Sequence, residues 1–356
     1  MLLVASLLGC STYGGATAGQ VQKPGADRGS PTTRPRPYSC HYRFRLQSVD
    51  GEIEYCSAAE VTSVVKARRL VVVIHGDGRD ARDYFAFARR AADRSGASST
   101  QLIAPRFPTH RDVRREDGGA DLVYWSSDGW KEGDGTRGGG DGTAVSSFAA
   151  IDQLVSAFVL SHPETKDVVL AGHSAGGQFV DRYAATSRTP EKLRRRGIRV
   201  RFVIANPSSY LYLSSARPVE PSLSRFETPD QRGRSDCRHY DDYKYGLSDP
   251  NDYVAAQGSA AEIRQRFLSR EIVYLLGAAD TDSDAPNLDR RCAADLQGAN
   301  RLERGKVFYR YVGWVGGNGV YRRQALAIVP RVGHDAEAIL NSRQGLAALF
   351  EAKAAR

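Results

Sequence analysis

The chain has 356 residues, 41% of them hydrophobic and 26% charged, with 35 Gly, 15 Pro and a formal charge of +9. That composition excludes a disordered chain, a collagen-like repeat and a miniprotein held only by disulfides, and no apolar run reaches the roughly 18 residues of a bilayer span. Arg supplies 42 of the 50 basic residues, and no nucleic-acid motif or basic aromatic stripe accompanies them, so the excess reads as a solvated surface with no nucleic-acid partner.

The first ten residues, Met1 to Cys10, are apolar but too short to span, and no Lys or Arg precedes the stretch. Leu7-Leu8-Gly9-Cys10 resembles the cleavage box of bacterial lipoproteins. That resemblance implies export and a lipid anchor at Cys10 on a membrane surface. Residues 11–38 follow as a Gly-, Ser-, Thr- and Pro-rich tether ending near Pro31-Thr32-Thr33-Arg34-Pro35-Arg36-Pro37. Residues 39–356 are left as one domain.

Four further cysteines, Cys40, Cys56, Cys237 and Cys292, fit two disulfides in an exported protein. Three connectivities are open, the sequence-local one being Cys40–Cys56 with Cys237–Cys292. Tyr42, Phe44 and Leu46 alternate up to Asp50-Gly51, and Ile53 and Tyr55 alternate after it, which predicts a hairpin. Cys40 and Cys56 are not directly opposite in that register, so a bond between them needs a bend or bulge. No C-x-x-C pair supports a zinc or thioredoxin-like site.

From Leu70 the chain alternates strands and helices. Strands are predicted at 70–74, 102–105, 167–171, 199–205, 271–276 and 325–329, and helices at 83–93, 146–160 and 335–349. Largely apolar strands separated by helices imply a mostly parallel sheet covered on both faces. In such sheets the chemistry lies just beyond the carboxyl ends of the strands.

After Val168-Val169-Leu170-Ala171 comes Gly172-His173-Ser174-Ala175-Gly176-Gly177 and then a helical pattern. Strand–turn–helix is the context in which G-x-S-x-G makes a nucleophile elbow, with small residues on either side of a strained serine. A serine hydroxyl needs a base. Of the seven His, His334 in Val332-Gly333-His334-Asp335 follows the last strand and can return to the elbow. His173 would point away from the hydroxyl, and His75 would brace the loop after the first core strand. The base needs a carboxylate. Asp280, in Gly277-Ala278-Ala279-Asp280-Thr281-Asp282, is closest to its strand end, with Asp282 as the alternative. An EF-hand reading of the same run fails, because Ala285 and Arg291 stand where Gly and Glu are required.

The order Ser174, Asp280, His334 resembles that of the α/β-hydrolase superfamily, and the likeness extends from about residue 40 to the end. The resemblance implies that His75-Gly76-Asp77-Gly78 is the oxyanion loop, with the amides of Asp77 and Ala175 as its donors. Within the superfamily the chain is similar to secreted esterases of the polyhydroxyalkanoate depolymerase and feruloyl esterase kinds, and to bacterial lipoprotein hydrolases.

The loop Tyr124-Trp125-Ser126-Ser127-Asp128-Gly129-Trp130 places Trp125 and Trp130 either in the substrate pocket or as anchors of the loop. Tyr210, in Asn206-Pro207-Ser208-Ser209-Tyr210, is expected to face the same cleft, and residues 206–270 to cap it or cover the sheet edge. Neither a phosphate-cradling loop nor a strand-linked G-x-G-x-x-G occurs, so no cofactor is expected. The expected activity is ester hydrolysis by a serine hydrolase on a small or polymeric ester. A peptidase or amidase with the same triad, and a tethered envelope protein that binds without turnover, are the alternatives. Oligomeric state is not legible.

Overall fold

The computed structural model describes residues 38–47, 49–114, 121–137, 143–220, 222–229 and 237–351. The leader, most of the tether and Cys10 lie outside the described residues.

Eight strands form one sheet: β1 (Ser39–Arg45), β2 (Glu52–Ser57), β3 (Arg69–Ile74), β4 (Thr100–Pro105), β5 (Asp167–His173), β6 (Arg199–Ala205), β7 (Glu271–Gly277) and β8 (Gln324–Val329). Their order is β1-β2-β4-β3-β5-β6-β7-β8. The pairs β1/β2 and β2/β4 are antiparallel, and every other pair is parallel. The predicted architecture, a mostly parallel sheet with an N-terminal hairpin, is the one observed.

Side-chain alternation along each strand divides the core in two. Leu70, Val72, Ile74, Val168, Leu170, Phe202, Ile204 and Tyr274 pack to one side, under helices α2 (Ser147–Ser161), α3 (Ala175–Thr186) and α4 (Arg301–Gly316). Val71, Val73, Val169, Ala171, Val203, Val273 and Leu275 pack to the other, against α1 (Ala81–Arg94), α5 (Ala336–Leu340) and α6 (Arg343–Phe350). Strands buried on both faces have no polar side to show, which is why they read as unbroken apolar runs.

The hairpin pairs Tyr42 with Tyr55 and Phe44 with Ile53, and its register shifts between Ser39 and Tyr42. That irregularity accommodates the Cys40–Cys56 disulfide, and Cys237–Cys292 is the second. Two disulfides suit an oxidising, extracytoplasmic compartment. Among the described residues no helix is long and apolar enough to cross a membrane.

Two helical expectations are corrected. The single terminal helix is two, because Ser342 caps a new start by accepting from the Gly345 amide, and Gly345 packs onto the Ile339 and Leu340 carbonyls. Helix α4 has no counterpart among the predicted helices. Its signal was Asn300 as N-cap with Glu303 three residues on, then Val307, Phe308, Tyr311 and Val312 on the core side. Three glycines and four basic residues in the same span blur the apolar period.

Candidate active site

β5 ends in a turn at Ser174 and α3 leaves it immediately. Ser174 has φ 58° and ψ −119°, a conformation non-glycine residues rarely hold, costing about 1–3 kcal/mol unless the surroundings enforce it. The surroundings do. A Cβ on Gly172 would sit 2.2 Å from the Gly176 carbonyl oxygen, and one on Gly176 would sit 2.3 Å from that of Ile74. Only glycine lets strand and helix approach so closely. The Ser174 amide donates to the Ala205 carbonyl at 2.9 Å, which pins the turn to β6.

The structure brings Ser174, His334 and Asp280 together. The Ser174 hydroxyl lies 2.9 Å from His334 Nε2, and His334 Nδ1 lies 2.8 Å from Asp280 Oδ2. The ionised carboxylate can only accept, so Nδ1 carries the proton and Nε2 is left to accept from the hydroxyl. A chain of this kind eases removal of the hydroxyl proton. Asp280 is 3% exposed, whereas Asp282 is exposed and its Oδ1 accepts from the Asp284 amide.

Asn206 ties the two loops that carry this pair. Its side chain accepts from the Gly277 amide at 2.9 Å and donates to the Gly333 carbonyl at 3.3 Å. Gly277 makes room for the contact, since a Cβ there would meet the Val332 carbonyl oxygen at 2.5 Å. The strand-end rule pointed at the stretch from Asn206 but not at this role.

The loop after β3 is braced from below. His75 is buried, donates from Nδ1 to the Gly76 carbonyl and accepts at Nε2 from the Phe107 amide. Acceptance at Nε2 requires the neutral ring with its proton on Nδ1. Burial pulls its pKa down to about 4, against the opposing Gly76 bond. His173 turns away from the hydroxyl, as expected, with Nδ1 3.1 Å from the Tyr84 hydroxyl. Asp77 directs its carboxylate toward Lys131 Nζ at 3.5 Å, leaving its amide on the loop beside Ser174. Ala175 is the first residue of α3, where amides lack intrahelical acceptors.

Ser174 opens into a cleft of about 500 Å³ whose wall includes Asp77, Ala175 and Gln178. Charged groups dominate the rest. Lys131 pairs with Asp128 at 2.6 Å, and Arg291 reaches the same carboxylate at 3.1 Å from the opposite loop. Burial opposes ionisation of Asp128, but Lys131, Lys244 and Arg291 together hold its pKa well below the usual carboxylate range. Lys244 is buried against Glu132 at 2.5 Å, which counters the burial that lowers its own pKa. Among the described residues, Leu288 is the one sizeable aliphatic side chain in the wall.

Trp125, Trp130 and Tyr210 are not in that wall. Both Trp side chains are fully buried, with Trp130 stacked on Phe107 at 5.6 Å and packed on His75 at 4.6 Å. They anchor the loop to the core, beneath the cleft. Tyr210 is buried against Phe308, its ring centroid 4.4 Å away. A strand end sets where the backbone goes, not which way the next few side chains turn. The wall residues Asp128, Lys131, Lys244, Asp289 and Arg291 were missed because they come from three separate loops without periodic pattern.

The Alpha/beta hydrolase family profile matches residues 71–349. No curated protein sequence matches the chain. Among solved structures, the chain is similar to LpqC, a poly(3-hydroxybutyrate) depolymerase from Bordetella parapertussis, at 21% identity and TM-score 0.56, covering 86% of each chain. It is also similar to poly(aspartic acid) hydrolase-1 from Sphingomonas sp. KT-1, at 24% identity and TM-score 0.56, covering 84% of this chain and 94% of that one. Those likenesses are likenesses of fold. With the eight-stranded sheet and a match spanning most of its length, the chain belongs to the alpha/beta hydrolase family.

Proposed function

We propose that the protein is a serine hydrolase that cleaves carboxylic esters through an acyl-enzyme. The observation that carries this is the unbroken hydrogen-bond chain from Ser174 through His334 to Asp280 at the floor of an open cleft. Ser174 Oγ attacks the ester carbonyl carbon while His334 Nε2 takes the hydroxyl proton, and Asp280 stabilises the resulting imidazolium. The carbonyl oxygen, now an anion, is met by the amides of Asp77 and Ala175, each such donor contributing about 3–4 kcal/mol to the transition state. Collapse expels the alcohol, which takes the proton from His334. Water then repeats the sequence on the acyl-enzyme and releases the acid.

A fluorophosphonate probe should label the folded protein at Ser174, and Ser174→Ala should abolish both labelling and turnover of p-nitrophenyl esters. Absent labelling of folded protein would sink the assignment. Matched ester and anilide substrates separate esterase from amidase. A binding protein without turnover would hold ligand with no Ser174-dependent product. Anchoring through Cys10 belongs to the same proposal, and Cys10→Ala should release the protein from the membrane fraction.

A further inference from the structure

A buried cation beneath the triad is unused by the chemistry above. Arg301 is the first residue of α4, directly after the Asn300 cap, and its side chain is 1% exposed. Its Nη1 lies 3.7 Å from Asp280 Oδ1. Among the described residues its Nε, Nη1 and Nη2 make no hydrogen bond. Arg304, one turn on and equally buried, is different: its donors go to Gly298, Ser208 and Asp289 carbonyls and to Asp295. A guanidinium offers five donors, and burying it without acceptors is costly, so packing alone does not account for Arg301. What it has instead is the charge of Asp280.

We infer that Arg301 is a positioning residue for the triad, its buried charge holding the Asp280 carboxylate in place and opposing the pull of that carboxylate on the His334 ring. Ser174, His334 and Asp280 in the roles proposed above are the basis on which this inference rests. The two oxygens of Asp280 are divided, Oδ2 receiving His334 Nδ1–H and Oδ1 facing Arg301. Attraction to Asp280 raises the proton affinity of the imidazole, and repulsion from Arg301 lowers it. Removing Arg301 removes only the repulsion. His334 then binds a proton more readily, and the acid limb of the pH–rate profile moves to higher pH.

Other groups face this pair. The His173 ring lies tilted against that of His334, 4.5 Å between centroids, and burial, then His334 and Arg301, hold its pKa far below the ordinary histidine range. Asp282 and Arg304 act on Arg301 from its own side, and the buried Tyr210 hydroxyl lies in the field of Asp280. Asp335, next to His334, caps α5 by accepting from the Ala338 amide. Substituting Arg301 leaves all of these in place.

The test uses the full chain carrying Arg301→Met or Arg301→Lys, with active sites counted by fluorophosphonate titration. The pH dependence of kcat/KM for a p-nitrophenyl ester is followed from about pH 4.5 to about pH 9. Arg301→Met should raise the acid limb by about one pH unit, and Arg301→Lys should leave it within about 0.3 unit of wild type. An unmoved limb in folded, titratable Arg301→Met overturns the inference, because lost packing reduces the amount of active enzyme without moving the limb. If Arg301→Met does not fold, Arg301→Gln is read the same way. A stability cycle supplies an independent reading: the double variant R301M/D280N should be more stable than D280N, which leaves the buried cation without its carboxylate. A double variant no more stable than D280N overturns the inference. Wild-type turnover in Ser174→Ala would instead refute the proposed function, a result distinct from an unmoved limb in a Ser174-dependent enzyme.

Discussion

Replacing Asp280 by Asn keeps the shape of the side chain, removes its charge and offers an amide where only an acceptor stood. His334 Nδ1 donates to Asp280 Oδ2 at 2.8 Å, which puts the imidazolium and carboxylate charge centres about 4 Å apart in the transition state. At an effective dielectric constant of about 20 that attraction is worth about 4 kcal/mol, or about three decades in rate. If the amide NH₂ turns toward Nδ1, the ring must also take the opposite tautomer, and Nε2 no longer accepts the Ser174 proton. The expected loss in kcat/KM is therefore about 10³- to 10⁴-fold, with fluorophosphonate labelling slowed in parallel. The assay is steady-state hydrolysis of a p-nitrophenyl ester near neutral pH, normalised to folded protein. Asp282→Asn serves as the control and should stay within about twofold, since the side chain is exposed and an Asn oxygen can still accept from the Asp284 amide. A D280N rate within tenfold of wild type, or an equal defect in D282N, would refute the assignment of the acid.

Three further outcomes are expected. His75, with a folded pKa of about 4 against about 6.5 unfolded, makes its full contribution above the unfolded value. As pH falls from about 6.5 to about 4 the unfolded chain takes a proton that the folded chain refuses, costing about 3 kcal/mol in all. Urea unfolding at both ends of that range should show this loss in wild type and not in His75→Asn, and equal losses in the two proteins would contradict a neutral, buried His75. Asn206→Ala strands the Gly277 amide and frees the Gly333 loop, so stability should drop by about 2–3 kcal/mol and kcat by about tenfold with KM little changed. An unaltered kcat would show that Asn206 does not hold the site. With Leu288 the one sizeable aliphatic side chain in the cleft wall among the described residues, kcat/KM should stay flat from acetyl to octanoyl esters. A hydrophobic slot would instead add about fourfold per methylene, and such a rise would count against the polar cleft.

Much of the fold was legible because its signals are local. Buried parallel strands must be apolar on both faces, and a turn between β5 and α3 that tolerates no Cβ must carry glycine, so Gly172 and Gly176 mark Ser174 in the chain itself. His334 and Asp280 followed from their places at strand ends, as did the hairpin and its irregularity at Cys40. Helix α4 was hidden by its own glycines and by basic residues whose burial no periodicity reveals, Arg301 and Arg304 among them.

By itself, then, the sequence determined the core strands, most of the helices that cover them, and the serine turn with His334 and a choice of two carboxylates beyond later strands, since each signal depends on neighbours a few positions away. Only the tertiary structure set Asp280 against His334, turned Trp125, Trp130 and Tyr210 into the core, and assembled a charged cleft from loops far apart in the chain. It alone placed Arg301 behind Asp280. Side-chain direction in an aperiodic loop depends on what packs against it, and a charge pair between residues 280 and 301 exists only once α4 has docked on the sheet.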